Sequence, residues 1–313
     1  MLLSADERSN TRDVLELTKL ITDNVSTDAP HHTGCWDPVV EWWANIVGVA
    51  ATWLLADSQK AADIGDKLNL LPEELANSED PLPGALHMAY KSRRGLLSVA
   101  QCRDEHSVER TSETILKVCD IAGTRLADSL AYYCCRKPTQ LMMLMQVLCC
   151  DWLLEVRSGV WEASGLTQGT PPAPARHLRA FQRDLHSLRR LSQTLPWVTS
   201  RVFLYSAVCR MMAGAAPRRT QQLLDGSLRP RLNRSSIICG KEKQLEGGGG
   251  EGERAVALYM ACKHLPDAVL ATPGERAGML QQAAATLQKI GHRSRLLNCY
   301  HLMKSVGTLP SAP

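Results

Sequence analysis

The chain has 313 residues, and 36 lysines and arginines against 32 aspartates and glutamates leave a net charge of +4. With 22% charged and 44% hydrophobic residues, the composition excludes wholesale disorder. So small a charge excess singles out neither a nucleic acid nor a membrane as partner. The length suits one large domain or two smaller ones, each able to bury a core.

Apolar residues recur at helical spacing along almost the whole chain, without convincing strand-like alternation. Met1 to Asn10 carries Asp6, Glu7 and Arg8 and lacks the apolar core of a signal peptide. Thr11–Asn24 reads as the first helix, with Val14, Leu15, Leu17, Leu20 and Ile21 on one side. Asp37-Pro38 then offers an N-cap and a proline for the first helical position of a tryptophan-rich helix. That helix, Val39–Ala56, just reaches the length of a membrane span. Its Glu41 and Asn45, and the Asp57 and Lys60 that follow, favour a core helix whose thin polar edge is Glu41, Asn45 and Thr52.

Ser58–Leu70 and Gly84–Ala100 read as shorter helices around a segment with Pro72, Pro81 and Pro83. Ser107–Tyr133 is a long amphipathic helix, and Pro138 marks the start of the next. Thr139–Trp161 is apolar nearly all round, the pattern of a helix at the centre of a bundle. Residues 163–175 hold two glycines and three prolines and read as an exposed linker. Helices follow at Arg176–Gln193, Pro196–Ala213 and Pro217–Leu228. A second linker, 230–252, is polar and glycine-rich and reads as disordered. Glu253–His264 is helical, Thr272-Pro273-Gly274-Glu275 forms a capping box for a helix reaching Ile290, and Ser294–Val306 is the last. The fold class is therefore all-α, an irregular array of antiparallel helix hairpins without a fixed repeat period. It forms one helical domain over 1–313 or two lobes, 1–162 and 176–307.

The 11 cysteines are odd in number and irregularly spaced. Cys134, Cys135, Cys149 and Cys150 sit in apolar stretches and read as small buried hydrophobes in a reducing compartment. Asn24 and Asn233 head glycosylation tripeptides, a pattern common by chance. No zinc-protease motif or nucleophile elbow occurs, and Gly247–Gly250 is followed by Glu251 where a phosphate loop needs a cation. His31-His32 with Cys35, and Cys262 with His264, each offer too few ligands for a tetrahedral metal site. The expectation is no catalytic residue, no metal and no cofactor.

One pattern stands out. In Arg176–Gln193, Leu178, Phe181, Leu185 and Leu188 share one face, while Arg179, Arg183, His186 and Arg190 share another. Such a basic face suits docking to an acidic protein surface, or nucleic-acid binding through phosphate neutralisation. The plain alternative is a solvated face opposite a buried one.

Longer strings carry a resemblance. They are Cys150-Asp151-Trp152-Leu153-Leu154, the run Phe181-Gln182-Arg183-Asp184-Leu185-His186-Ser187-Leu188-Arg189-Arg190-Leu191, Met211-Met212-Ala213-Gly214-Ala215, and Pro217-Arg218-Arg219-Thr220. Ser227-Leu228-Arg229, His264-Leu265-Pro266, Pro273-Gly274-Glu275-Arg276 and Ala283 to Lys289 extend the set, as do Val39 to Trp43 and Trp53-Leu54. Together these resemble the C-terminal regulatory region of vertebrate sterol regulatory element-binding proteins, nearer the cholesterol-biased branch, over about Val39 to Gly307. The basic helix-loop-helix leucine zipper and the paired membrane helices of that family do not appear in the chain, and Gly247–Gly250 departs from its pattern.

The resemblance implies a fragment that begins after the membrane anchor of an endoplasmic-reticulum precursor and faces the cytosol. Its implied partner is the WD-repeat domain of the sterol-sensing, cleavage-activating escort protein, which carries the precursor to the Golgi for proteolytic release. Self-association is possible in this reading, no nucleic acid is bound, and membrane contact runs only through the parent's helices. The family assigns no contact residues here, so Arg179, Arg183, His186 and Arg190 rest on the helical pattern alone.

Overall fold

The computed structural model describes residues 38–55, 68, 70–102, 104–134, 136, 138–163, 172–195, 198–228, 251–264, 273–289 and 293–305. Among them the chain is all-α. The helices are α1 (Pro38–Leu55), α2 (Glu73–Ala76), α3 (Leu82–Gln101), α4 (Glu105–Cys134), α5 (Gln140–Ala163) and α6 (Ala175–Thr194). They continue with α7 (Thr199–Met212), α8 (Pro217–Leu228), α9 (Glu251–His264), α10 (Pro273–Lys289) and α11 (Arg293–Ser305). The expected helix at 11–24, most of 58–70, the His31-His32-Cys35 group, Cys135, residues 164–171 of the first expected linker and 230–250 of the second lie outside the described residues, while Glu251 and Gly252, expected in the second linker, are helical.

Helix starts follow local chemistry. Pro38, Pro217 and Pro273 each occupy the first position of a helix, where the missing N–H costs nothing. Elsewhere side chains cap the ends. Asp80 Oδ1 accepts the Leu82 amide at 2.9 Å, Asp104 Oδ1 the Ser107 amide at 2.8 Å, and Thr139 Oγ1 the Met142 amide at 3.2 Å. Pro138 therefore precedes α5 by one capping residue.

Two compact units emerge. The first, here the α1 unit, comprises the described residues before Leu96 together with Ile115–Leu153. Its core includes Trp42, Ile46, Val49, Leu82, Leu86, Cys119, Leu126, Leu148 and Trp152. Among the described residues no helix is long and apolar enough to cross a membrane, and α1 buries Trp42, Ile46 and Val49. Its expected polar edge needs one correction: Asn45 is buried with them. Its side-chain amide donates to the Glu41 carbonyl at 2.9 Å, so part of its polarity is satisfied within the helix. Side-chain hydrogen bonds tie the unit together. The Tyr133 hydroxyl donates to Asp80 at 2.6 Å, and Gln146 Nε2 to Ser129 Oγ at 3.1 Å. Cys134 is exposed, contrary to the expectation of burial, because it ends α4.

The second, the α9 unit, comprises Leu96–Thr114 and the described residues from Leu154 onward. Its packed helix pairs are α6 with α7, α7 with α8, α8 with α9, α9 with α10, and α10 with α11, while α9 also meets α7 and α11. Every residue of α9 from Ala255 to Lys263 is buried, which makes it the central helix of this unit. In α5, Met145 to Ala163 is buried except at Gly159, as its all-round apolarity predicts.

Candidate functional site

Helix α6 has two sharply different faces. Phe181, Asp184, Leu185, Ser187, Leu188 and Leu191 are buried. Arg176, Arg179, Arg183, His186 and Arg190 are exposed. The four residues singled out from spacing thus share the solvent face, because positions three, four and seven apart fall on one side of a helix. Arg179 Nε donates to the Ala175 carbonyl at 3.3 Å and makes only a local bond there.

The buried face fixes the helix in place. Phe181 meets Tyr205 of α7 edge to face, with ring centroids 6.2 Å apart. Arg189 reaches back to donate to Ser206 Oγ on α7 at 2.9 Å. Asp184 is the only acidic residue of α6, and it points inward. Arg157 of α5 donates to its Oδ2 at 2.6 Å, both side chains being at most 3% exposed. Arg183 Nε approaches the other oxygen at 3.1 Å from the surface. Asp184, the one carboxylate of α6, is thus shared between Arg157 inside and Arg183 at the surface.

A second charge cluster lies in the core of the same unit. Glu162 of α5 is fully buried, with Arg295 Nη2 of α11 at 3.8 Å from Oε1. Arg295 also donates to Ser158 Oγ at 2.9 Å, and Lys263 Nζ to the Glu162 carbonyl at 2.9 Å. Arg276 of α10 donates to the Cys262 carbonyl. Burial alone would lower the Arg295 pKa, but the Glu162 and Glu155 carboxylates outweigh it and raise the value. Burial lowers the pKa of Lys263 despite the opposing pull of Glu162.

The groups that resemble chemical machinery are held in uncharged forms. Burial pushes the Cys262 thiol up to about 12 and Cys299 to about 11. Burial, aided by the Lys263 charge, pushes His264 down to about 3. Its ring stacks on Trp161 with centroids 4.6 Å apart. A nucleophile or general base at neutral pH needs the opposite tuning. Cys262 and His264 also diverge, the thiol donating to the Arg276 carbonyl at 3.8 Å. Among the described residues no three His, Cys, Asp or Glu side chains group as metal ligands.

Spacing on α6 missed two things. The buried ions Arg157, Glu162, Lys263, Arg276 and Arg295 look like ordinary helix charges in the sequence. The one available signal was Glu155, Ser158 and Glu162 recurring on a single stripe of a mostly apolar helix. The exposed arginines also extend beyond α6, with Arg218 and Arg219 exposed at the start of α8.

Fold and surface together define an all-helical protein that presents arginines from a rigidly supported helix. No protein-family model matches the chain, and no solved structure matches it.

Proposed function

We propose that the chain is a non-catalytic docking module of a membrane-bound transcription factor precursor. In this reading it binds the WD-repeat domain of the sterol-sensing cleavage-activating escort protein and so brings transport from endoplasmic reticulum to Golgi under sterol control. The observation that carries the reading is the set of long strings resembling the sterol regulatory element-binding proteins, above all Phe181 to Leu191. Those eleven residues supply both the buried face that locks α6 and most of its exposed basic face. Thiols and imidazole held neutral by burial support a role in binding over one in catalysis.

Co-precipitation of the purified chain with the escort protein's WD-repeat domain tests the reading. Capture is expected, and its absence with helical, monodisperse protein refutes the proposal. Arg183→Glu combined with Arg190→Glu is expected to weaken capture. Unchanged affinity removes the α6 face from the contact and leaves the docking role standing. Nucleic-acid binding is the second reading, because the same arginines are exposed without an exposed carboxylate on α6. It requires a gel shift at low salt that fades steeply as salt rises.

A further inference from the structure

Charge is unevenly distributed along this chain. From Pro172 to Leu224 there are nine arginines, no lysine and one acidic residue, Asp184. That stretch carries +8, and since the whole chain carries +4 the remainder carries −4. Asp184 is buried against Arg157, so the stretch brings no carboxylate to its surface.

The fold gathers part of this charge at one corner. The Ala173 amide donates to the Met212 carbonyl at 2.7 Å. Gly214 turns the chain between α7 and α8 with φ 68°, a conformation suited to glycine, and the Pro172 ring lies 3.2 Å from the place its Cβ would take. These contacts seat the entry to α6 on the turn that leads into α8. Arg176 and Arg179 at the start of α6 and Arg218 and Arg219 at the start of α8 are all exposed. Neither first turn holds an acidic residue. Cations at a helix start are placed against the helix dipole.

The corner also lacks apolar anchors. The large exposed hydrophobic residues among those described are Val40, Leu70, Ile121, Leu141 and Tyr300, none of them between 172 and 224. A charged bilayer surface needs no apolar anchor and asks only for positive charge.

We propose that this corner, Arg176, Arg179, Arg218 and Arg219, adsorbs on the anionic phospholipid headgroups of the membrane beside which the module is held, and so orients it. The proposal rests on the docking reading above, which puts the chain at a cytosolic leaflet, where the surface is negative. Adsorption is electrostatic, reversible and screened by salt.

Sedimentation of the full chain with phosphatidylserine/phosphatidylcholine vesicles, against pure phosphatidylcholine vesicles, tests it. Binding is expected to the first only, and to vanish at high salt. Replacing all four arginines by Gln should lower partitioning by roughly 100-fold or more, at about 1 kcal/mol per cation. Replacing all four by Lys should retain it, because only charge is required. Circular dichroism of both variants should match the parent, since the four side chains are exposed.

Failure of the parent chain to sediment, equal binding to neutral vesicles, or retention by the Gln variant overturns the proposal. Loss in the Lys variant overturns it too, by pointing to a ligand read bidentately. Tighter binding to duplex DNA than to the charged vesicles at the same salt reassigns the corner to nucleic acid. Capture by the WD-repeat domain without vesicle binding sinks the lipid proposal alone. Vesicle binding without capture sinks the docking reading while leaving the corner's lipid chemistry established.

Discussion

Helix α5 supplies two compact units and is buried in each by different means. Its Gln140–Leu153 part, in the α1 unit, packs Met145, Leu148 and Trp152, buries the single carboxylate Asp151 and adds the neutral Gln146–Ser129 hydrogen bond. Its part from Leu154 to Ala163, in the α9 unit, buries Glu155, Arg157 and Glu162 among ions from α6, α9 and α11. A mostly apolar core with few buried charges tolerates the loss of one polar partner. A core of paired ions does not, because each removal leaves a charge without its partner in a medium that solvates it poorly. The α9 unit is therefore expected to be the more sensitive to mutation and to acid.

The largest effect should come from Asp184→Ala, which takes from Arg157 its partner at 2.6 Å. A loss of about 3–5 kcal/mol is expected in urea unfolding followed by circular dichroism. A loss under about 1 kcal/mol would erase the contrast between the units.

Acid gives the next effect. Burial and the Lys263 charge hold His264 at about 3, below its ordinary 6.5. The unfolded chain takes up a proton as pH falls through 6.5, while the folded chain does so only near 3. Stability attached to this residue is thus complete above 6.5 and declines as pH falls toward 3. Between pH 6.5 and 5 the decline is about 2 kcal/mol. His264→Phe, which keeps a ring against Trp161, should flatten that slope in urea midpoints measured at both pH values. An unchanged slope places the acid sensitivity elsewhere.

The smallest effect belongs to the α1 unit. Tyr133→Phe deletes the 2.6 Å bond to Asp80, whose carboxylate still caps α3 through the Leu82 amide. About 1 kcal/mol is expected in the same unfolding experiment. A cost as large as that of Asp184→Ala would mean that a part-buried hydrogen bond to a carboxylate and a buried ion pair are equivalent here.

Much of the fold was legible in the sequence because helix periodicity is local. The spacing of Leu178, Phe181, Leu185 and Leu188 predicts the buried side of α6, and three of the four are fully buried, with Leu178 half-buried. The opposite spacing of Arg179, Arg183, His186 and Arg190 predicts their shared exposed face for the same reason. Asn45 and Cys134 were misplaced because residue type is a weak guide where tertiary packing or a helix end decides. Glu162, Lys263 and Arg295 gave almost no signal. Their partners lie on helices more than 100 residues apart in the chain, as in the Lys263–Glu162 and Arg295–Ser158 bonds.

The sequence by itself determined an all-helical chain, its main helices and the two-faced character of α6, since each depends on neighbours within a few turns. Only the tertiary structure decided which charges are buried and which remain at the surface. Asp184 shows the difference: in the sequence it sits beside Arg183 and offsets the basic face, whereas in the fold Arg157 draws it inward. The near-neutral total of +4 therefore conceals an exposed arginine surface, because charge is counted along the chain but compensated in space.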